Sequence, residues 1–284
     1  MAFGNSIINT LGTLGVSRGG TNLTSTPTNG QLLIGNGTGF TLSTLTAGSS
    51  ITITNSSGSV TIAASAGGAG FTSVVTQVFT SSGTYTPTTG MDYCIVEVVG
   101  GGGGSGGIAA TTTSNSLSPG GGGGGYARKL FASATIGVSQ TVTIGAGGTA
   151  GAAGNNNGGA GGTTSLGSLI SATGGNGSTG SPVSTTTRYN AGATGGTGSN
   201  GDFNLTGSSG FLSMLIRGNA VTSGAGGESA FGGSARGRAG ASGAGLAGEN
   251  YGGGAGGAAN LDNQAARAGG AGSPGIIIIT EFIG

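Results

Sequence analysis

Apolar residues in this chain fall on alternate positions within short stretches, and glycine-rich turns separate one stretch from the next. In "SSITITNSSGSVTIAAS", residues 49–65, Ile51 and Ile53, then Val60 and Ile62, alternate with polar residues on either side of Asn-Ser-Ser-Gly. Alternation around a turn-forming quartet predicts a β-hairpin. "GQLLIGNGTGFTLSTLTAG" predicts two more short strands, split by Asn36-Gly37. From Phe71 onward, "VVTQVFTSSGTYTPTTGMDYCIVEVV" reads as a strand, a Ser-Ser-Gly turn, a short edge segment at Pro87 and a buried strand from Met91 to Val99. "GYARKLFASATIGVSQTVTIGAGG" predicts another β block, with Val138, Val142 and Ile144 in strand context. The chain closes on "GAGSPGIIIITEFIG", whose four consecutive isoleucines predict a strand buried on both faces. Helix signals are nearly absent.

The buried strand runs without a turn into five glycines, "IVEVVGGGGGSGG", and similar runs recur from Gly145 to Gly275. Their spacing is irregular, which fits neither collagen nor a fixed-period solenoid. Glycine supplies 72 of the 284 residues, a content at which low-complexity disorder is the default, but the high net charge that usually accompanies disorder is missing: it is +1. Ordering a glycine costs about 0.5–1 kcal/mol more than ordering an alanine, so a folded state needs dense backbone hydrogen bonding. A glycine strand in a threefold, polyproline-II-like helix has no internal hydrogen bonds, and its N–H and C=O groups point outward. Lacking Cβ atoms, such strands approach closely and satisfy one another. The glycine runs are therefore expected to bundle into a core made of peptide groups.

Charge and reactive side chains are scarce. Eight basic and seven acidic residues, with no basic patch or acidic block, argue against binding to nucleic acid or to an anionic membrane. No apolar run is long enough to span a bilayer, and the N-terminus lacks the positive region of a secretory signal. With no His and one Cys, Ser/His and Cys/His nucleophile systems and histidine metal sites are excluded, and no metal or cofactor is expected. Cys94 alternates with Val96 and Val98 and reads as a small buried hydrophobe. Strings of the form GxGxxG arise by chance at this glycine content, and "GGTGSNGDF" carries a single carboxylate, Asp202, too few for calcium. Paired-carboxylate cleavage of a polysaccharide has Asp92, Glu97, Asp202, Glu228, Glu249, Asp262 and Glu281 to draw on. Glu97 and Glu281 are expected on exposed strand faces, and the chain is read as not an enzyme.

At "VFTSSGTYTPTTGMDYCIVEVVGGGGGSGG", "GGGGGYARKLF", "QTVTIGAGG", "GGTTSLGSLISATGG" and "PGIIIITEFIG", the chain resembles the glycine-rich tail-fibre and receptor-binding adhesin proteins of tailed bacteriophages. "GVSRGGTNLTSTPTNGQLLIGNGTGFTLSTLTAGSSITIT" is similar to the repeated, fibrous part of phage fibre proteins. The resemblance implies an all-β chain: a fibrous N-terminal β region over 1–70, then a glycine-rich, β-sandwich-like domain over 71–284 with packed polyglycine-II helices and essentially no α-helix. It further implies a non-enzymatic adhesin of the virion, made in the host cytoplasm and acting outside the cell. Such a protein is a homotrimer joined to other tail or virion proteins through its N-terminal region. The fibre-like N-terminus is where this chain departs from the compact T-even-like adhesins.

By the same resemblance, loops between glycine runs bind a bacterial surface receptor, either polysaccharide or outer-membrane protein. The loops are 108–119, 178–190, 200–223, the segment around Tyr251, and 258–268. The candidate contact residues are Arg188, Tyr189, Asn190, Asp202, Phe203, Phe211, Met214, Arg217, Tyr251, Asn263 and Arg267. Arg188 with Tyr189, and Arg217 after "FLSML", pair an aromatic or apolar anchor with a guanidinium, a combination favoured in binding surfaces. The plain alternative for Phe211, Leu212, Met214 and Leu215 is packing of a strand into the core. Two other functions compete with the adhesin: a purely structural virion fibre or decoration protein, and a sugar-cleaving spike.

Overall fold

Asparagine-glycine and serine-glycine turns organise the two hairpins of the first part of the chain. The computed structural model describes residues 20–21, 23–64, 71–216 and 220–284, and the chain divides into two compact units, Met1–Gly70 and Phe71–Gly284. In the first unit, β1 (Gln31–Gly35) pairs with β2 (Phe40–Thr44), and β3 (Ile51–Ser56) pairs with β4 (Ser59–Ala64), both antiparallel. Asn36 Oδ1 accepts the N–H groups of Thr38 and Gly39 at 3.1 and 2.8 Å, a side-chain turn that brings β2 back along β1. The tight turn between β3 and β4 has Gly58 at φ +77°, in the left-handed region open to glycine. Both expected hairpins are present, with Leu33 facing Leu42 and Ile53 facing Ile62. Leu33, Ile34, Ile51 and Ile62 nevertheless stay exposed, because a two-stranded ribbon offers no second layer to cover them.

The second unit opens with β5 (Ser73–Phe79), β6 (Gly83–Tyr85), β7 (Met91–Val99), β8 (Ser116–Leu117) and β9 (Tyr126–Ala132). A single helical turn, α1 (Ser133–Ile136), leads to β10 (Gln140–Thr143), β11 (Thr164–Leu166), β12 (Ile170–Ala172), β13 (Arg188–Asn190) and β14 (Gly198–Ser199). The last strands are β15 (Phe203–Leu205), β16 (Ser213–Ile216), β17 (Ala220–Thr222), β18 (Ala259–Asn260) and β19 (Ile276–Ile283). Apart from α1, the described residues form strands, turns and extended segments, so the fold is all-β.

Two five-stranded sheets, ordered β15-β9-β7-β19-β5 and β14-β12-β11-β10-β6, enclose the main apolar core. Alternation sends Cys94, Val96 and Val98 of β7 and Ile277, Ile279 and Ile283 of β19 inward, against Val142, Leu166, Ile170 and Ala172 of the other sheet. The isoleucine strand sits in the sheet interior between β7 and β5, but the expected burial on both faces is not complete: Ile277 and Ile279 are buried inward, while Ile278 on the outer face is only half-buried. Its outer face is covered only at the start, where Ile276 packs with Val99 and Tyr126. The segment before Pro87 is an edge strand, β6.

Two expectations are corrected. Val138 is not in a strand: it follows α1 and Gly137, whose φ is +70°, and it lies in solvent. Glu281 is not exposed: it shares the inward row of β19 with Ile277, Ile279 and Ile283 and is fully buried.

Beyond this sandwich the glycine runs form a bundle joined by backbone hydrogen bonds. In segment 100–108, the N–H groups of Gly101, Gly104 and Gly107 donate to the carbonyls of Gly162, Gly159 and Asn156 at 2.8–3.0 Å. Those of Gly102, Ser105 and Ile108 donate to Ser273, Gly270 and Arg267, and those of Gly100 and Gly103 to Gly125 and Gly122. Every third residue thus returns to the same neighbour, the signature of a threefold helix. The carbonyls of Gly101, Gly104 and Gly107 accept in turn from Gly175, Ser178 and Ser181, and those of Gly102 and Ser105 from Gly148 and Gly151. Segments 118–125 and 252–258 are bonded in the same manner, to each other and to further runs. Exposure follows the same period in the outer runs: Gly145, Gly148 and Gly151 are buried while the residues between them are more open.

Close approach is what demands glycine here. A Cβ placed on any of Gly100 to Gly104 would fall within 3.0 Å of a backbone oxygen of a neighbouring segment. Where the runs are not glycine, buried serines stand in for peptide groups. Ser178 Oγ accepts from Gly106 N–H at 3.0 Å and donates to the Pro119 carbonyl at 2.7 Å, and Ser105 Oγ accepts from Gly270 N–H and donates to the Gly256 carbonyl. Each net hydrogen bond contributes about 0.5–1.5 kcal/mol, comparable with the extra ordering cost of each glycine. The bundle is therefore marginal by itself and depends on the packed β structure at its ends. Gly103→Ala, which drives a Cβ onto the Asn176 carbonyl, is expected to destabilise the protein by about 3 kcal/mol, a melting shift of roughly 6–12 °C. Gly83→Ala, in open space at an edge, should leave thermal unfolding by circular dichroism almost unchanged.

Candidate functional site

Each glycine run crosses the bundle once, so the connections between runs alternate between two ends. Strands β5 to β7, β9 to β12, β14, β15 and β19 occupy the sandwich end. The connections 108–117, 152–157, 182–191, 212–216 with 220–222, 239–242 and 260–266 lie at the opposite end, the tip.

The tip is one built surface. β13, β16 and β17 form a three-stranded sheet, and β8 pairs with β18. Leu117, Leu215 and Val221 pack into a small core with Leu261 beside it. Bridges from Ile108 to Ser181 and Arg267, from Thr111 to Gln264 and from Asn115 to Ser184 join the remaining loops. These contacts fix the backbone that carries the exposed side chains.

The sequence-derived candidates divide between the two ends. Arg188, Tyr189, Asn190, Met214, Asn263 and Arg267 lie at the tip, and Phe211 lies at its margin, where its carbonyl accepts from Gly120 N–H. Tyr189 is 62 % exposed on edge strand β13, and Phe211 is 63 % exposed. Arg188 Nε donates to Asn190 Oδ1 at 2.9 Å, and Asn190 Nδ2 donates to the Leu117 carbonyl and to Ser213 Oγ, both at 3.2 Å. Arg267 is tied down inside its loop, donating from Nε to Asn260 Oδ1 and from Nη2 to Gln264 Oε1. Asn263 occupies the left-handed region at φ +58°.

Asp202, Phe203 and Tyr251 lie at the sandwich end instead. Asp202 Oδ2 accepts from Leu130 N–H, Phe203 meets the Tyr126 ring edge-on at 6.3 Å, and Tyr251 packs against Val99, Tyr126 and Ile276. Arg217 falls outside the described residues. The "FLSML" stretch divides as well: Leu215 enters the small core, Met214 is half-buried, and Phe211 and Leu212 stay in solvent.

A groove of about 330 Å³ that sequence reasoning missed opens beside Phe211 and Leu212, lined also by Thr222 and Arg238. Arg238 Nε donates to the Ala244 carbonyl, which anchors the side chain at the groove. Val183 and Ile216 are further exposed apolar residues of the tip that carried no pattern signal. Counting crossings would have found them, since alternate connections fall on the same end.

A family model described as a glycine-rich domain matches residues 76–281. The chain belongs to this glycine-rich domain family. The match runs from within β5 to within β19 and so takes in the sandwich, the bundle and the tip together. No curated protein matches the chain.

In this glycine-rich domain the perturbed ionisable groups belong to the sandwich. Glu281 accepts from Tyr85 OH at 2.7 Å, Thr88 N–H at 3.0 Å, Thr88 Oγ1 at 2.5 Å and Gln77 Nε2 at 3.2 Å. Burial alone would raise its pKa, but the donated hydrogen bonds outweigh burial and hold it below the ordinary carboxylate value. Burial also pushes the neighbouring Cys94 thiol up to about 11, which keeps it protonated and unreactive, and raises the Tyr85 hydroxyl. Glu97 lies on the opposite face of the sheet from Glu281 and accepts from Tyr126 OH at 2.6 Å. These carboxylates are engaged in holding the sandwich together. Among the described residues, no cluster of three metal-ligating side chains occurs.

A carboxylate with a depressed folded pKa stabilises the fold above its unfolded value, about 4.3, and that stability is lost as pH falls through the folded value. Glu281→Gln should cost about 1–3 kcal/mol at pH 7. Urea unfolding between pH 2 and 7 should show a shallower acid loss for the variant than for the wild type.

Proposed function

We propose that the protein is a non-enzymatic adhesin of a bacteriophage tail fibre. Its N-terminal unit joins the virion, and the tip of its glycine-rich unit binds a receptor on the bacterial surface. The observation that carries this reading is the tip itself. Loops distant in sequence meet at one end of a rigid peptide bundle, and there Tyr189, Phe211 and Leu212 are each more than half exposed. Stability does not call for large apolar side chains in solvent, whereas binding surfaces are rich in aromatic anchors beside arginine. Arg188 and Arg238 supply the guanidinium groups, each held by a hydrogen bond from Nε.

The rigid backing matters to the chemistry. A loop held by a bundle and a small core loses little freedom on binding, so more of its contact energy appears as affinity. The bundle has few side chains to conserve apart from its buried serines, so loop sequences at the tip are free to vary while the scaffold persists. The receptor on this reading is a polysaccharide or an outer-membrane protein. The working form is a homotrimer on the virion, made in the host cytoplasm. Among the described residues no helix is long and apolar enough to cross a membrane, and neither membrane insertion nor nucleic-acid binding belongs to this reading.

Particles carrying Tyr189→Ala together with Phe211→Ala test it. Loss of two anchors should lower adsorption to host cells at least tenfold, while particle yield and the melting temperature of the purified protein stay unchanged. Adsorption equal to wild type would contradict the adhesin and favour a structural fibre. Pretreating host cells with protease or with periodate separates a protein receptor from a polysaccharide.

A further inference from the structure

The fold sorts charge between the two ends of the glycine-rich unit, although the sequence scatters it. Six of the seven carboxylates belong to the sandwich end: Asp92 and Glu97 on β7, Asp202 before β15, Glu281 on β19, Glu228 beside Tyr126 and Leu205, and Glu249 two residues before Tyr251. Among the described residues, two cations accompany them there, Arg128 and Lys129 of β9. At the tip the balance reverses: Arg188, Arg238 and Arg267 stand with one carboxylate, Asp262, and the exposed Arg236 lies on the run leading to them. A run such as 118–125 rises about 25 Å in a threefold helix, well beyond the Debye length of about 8 Å at physiological ionic strength. The acidic end therefore does not cancel the field at the other, and the tip presents a positive potential of its own.

One of these guanidinium groups is built into a groove. The space of about 330 Å³ beside Phe211 and Leu212 is bordered by Thr222, Gly237 and Arg238. Arg238 is half-buried, and its backbone is clamped to the buried Ser223: its N–H donates to Ser223 Oγ at 2.8 Å, and its carbonyl accepts from Ser223 N–H at 2.8 Å. Ser223 Oγ donates in turn to the Gly257 carbonyl at 2.7 Å. Arg238 Nε donates to the Ala244 carbonyl at 3.0 Å, and the guanidinium lies over Gly243, where a Cβ would come within 2.6 Å of Cζ. Among the described residues no carboxylate pairs with Arg238, so its Nη groups remain to receive an anion. An anion that docks there gains charge-assisted hydrogen bonds from a fork already fixed in place.

We propose that this groove is a subsite for a carboxylated sugar residue, so that the receptor read by the tip is an acidic polysaccharide. The inference rests on the reading of the tip as a receptor-binding surface and names its ligand class. The carboxylate takes the open side of the Arg238 fork. Phe211 and Leu212 take the apolar face of the sugar, whose C–H bonds carry the partial positive charge that an aromatic ring face attracts. The volume suits a sugar ring and is more than the short stem of an acidic amino-acid side chain fills. A single negative charge matches a single guanidinium. A phosphate monoester carries about −1.5 to −2 at pH 7 and would leave charge uncompensated against apolar walls. The other guanidinium groups of the tip attract further acidic units of the same polysaccharide.

Titration of the purified full chain with short oligosaccharides of galacturonate, glucuronate and sialic acid tests it. At least one should bind, more weakly as salt rises, and its methyl ester, which keeps the shape and loses the charge, should bind at least tenfold more weakly. Arg238→Gln should cost at least tenfold in affinity for the acid and little for the ester. Arg238→Lys, which keeps the charge without the fork, should recover only part of the loss. Lys129→Gln at the sandwich end should change neither. The proposal is overturned if none of the three acids binds, if acid and ester bind equally, if mannose phosphate is preferred, or if Arg238→Gln binds the acid like the wild type. Should the acids fail to bind while Tyr189→Ala with Phe211→Ala still loses adsorption, the adhesin reading stands and this subsite does not. Should an acid bind while that double variant adsorbs normally, the subsite stands and the adhesin reading falls.

Discussion

The structure depends on one interaction, a backbone hydrogen bond between two glycine strands lying too close for a Cβ to fit between them. In a threefold helix the peptide groups of successive residues point to successive neighbours, so a run such as 100–108 is bonded on every side. A β-strand presents its hydrogen bonds in one plane and leaves its faces to side chains. The glycine runs have no side chains to bury, and they pack in two dimensions through peptide groups alone. That geometry admits serine where its hydroxyl replaces a peptide donor or acceptor, as at Ser105 and Ser178, and here and there a single methyl group, as at the fully buried Ala255.

A lattice of this kind is stiff once formed and weak as a nucleus. Its hydrogen bonds roughly offset the ordering of its glycines, so conventional packing has to close it. At one end the sandwich does this, with β19 returning from the last glycine run to lie between β5 and β7. At the other, the Leu117–Leu215–Val221 core and short sheets tie the loops together. The buried Glu281 belongs to this closing machinery: it links β19 to Tyr85 of β6, on the facing sheet, and to Thr88. Closure of the bundle is in this way supplied from both ends of the domain.

Much of the fold was legible in the sequence. Alternation located both hairpins and the strand at Met91–Val99, four consecutive isoleucines located the closing strand, and glycine runs leading straight out of strands implied packed peptide groups. What failed was local. Val138 was read as strand because its neighbours alternate, but a single helical turn and Gly137 redirect the chain just before it. Glu281 was expected in solvent on account of its charge, although its parity with Ile277 and Ile279 already placed it inside. Parity governs the tip as well. Phe203 and Tyr251 resemble Tyr189 and Phe211 in chemistry, yet they, like Asp202, belong to connections that fall at the sandwich end. The groove at Arg238 could not be read from local sequence, because it forms between residues brought together only by successive crossings.

The central claim is that the glycine runs are ordered by mutual hydrogen bonding, and amide hydrogen exchange tests it most directly. The account predicts that amides in segments 100–107, 118–125 and 252–258 exchange as slowly as those of the sandwich strands β7 and β19. Exchange at random-coil rates in those segments, with the strands still protected, would contradict it.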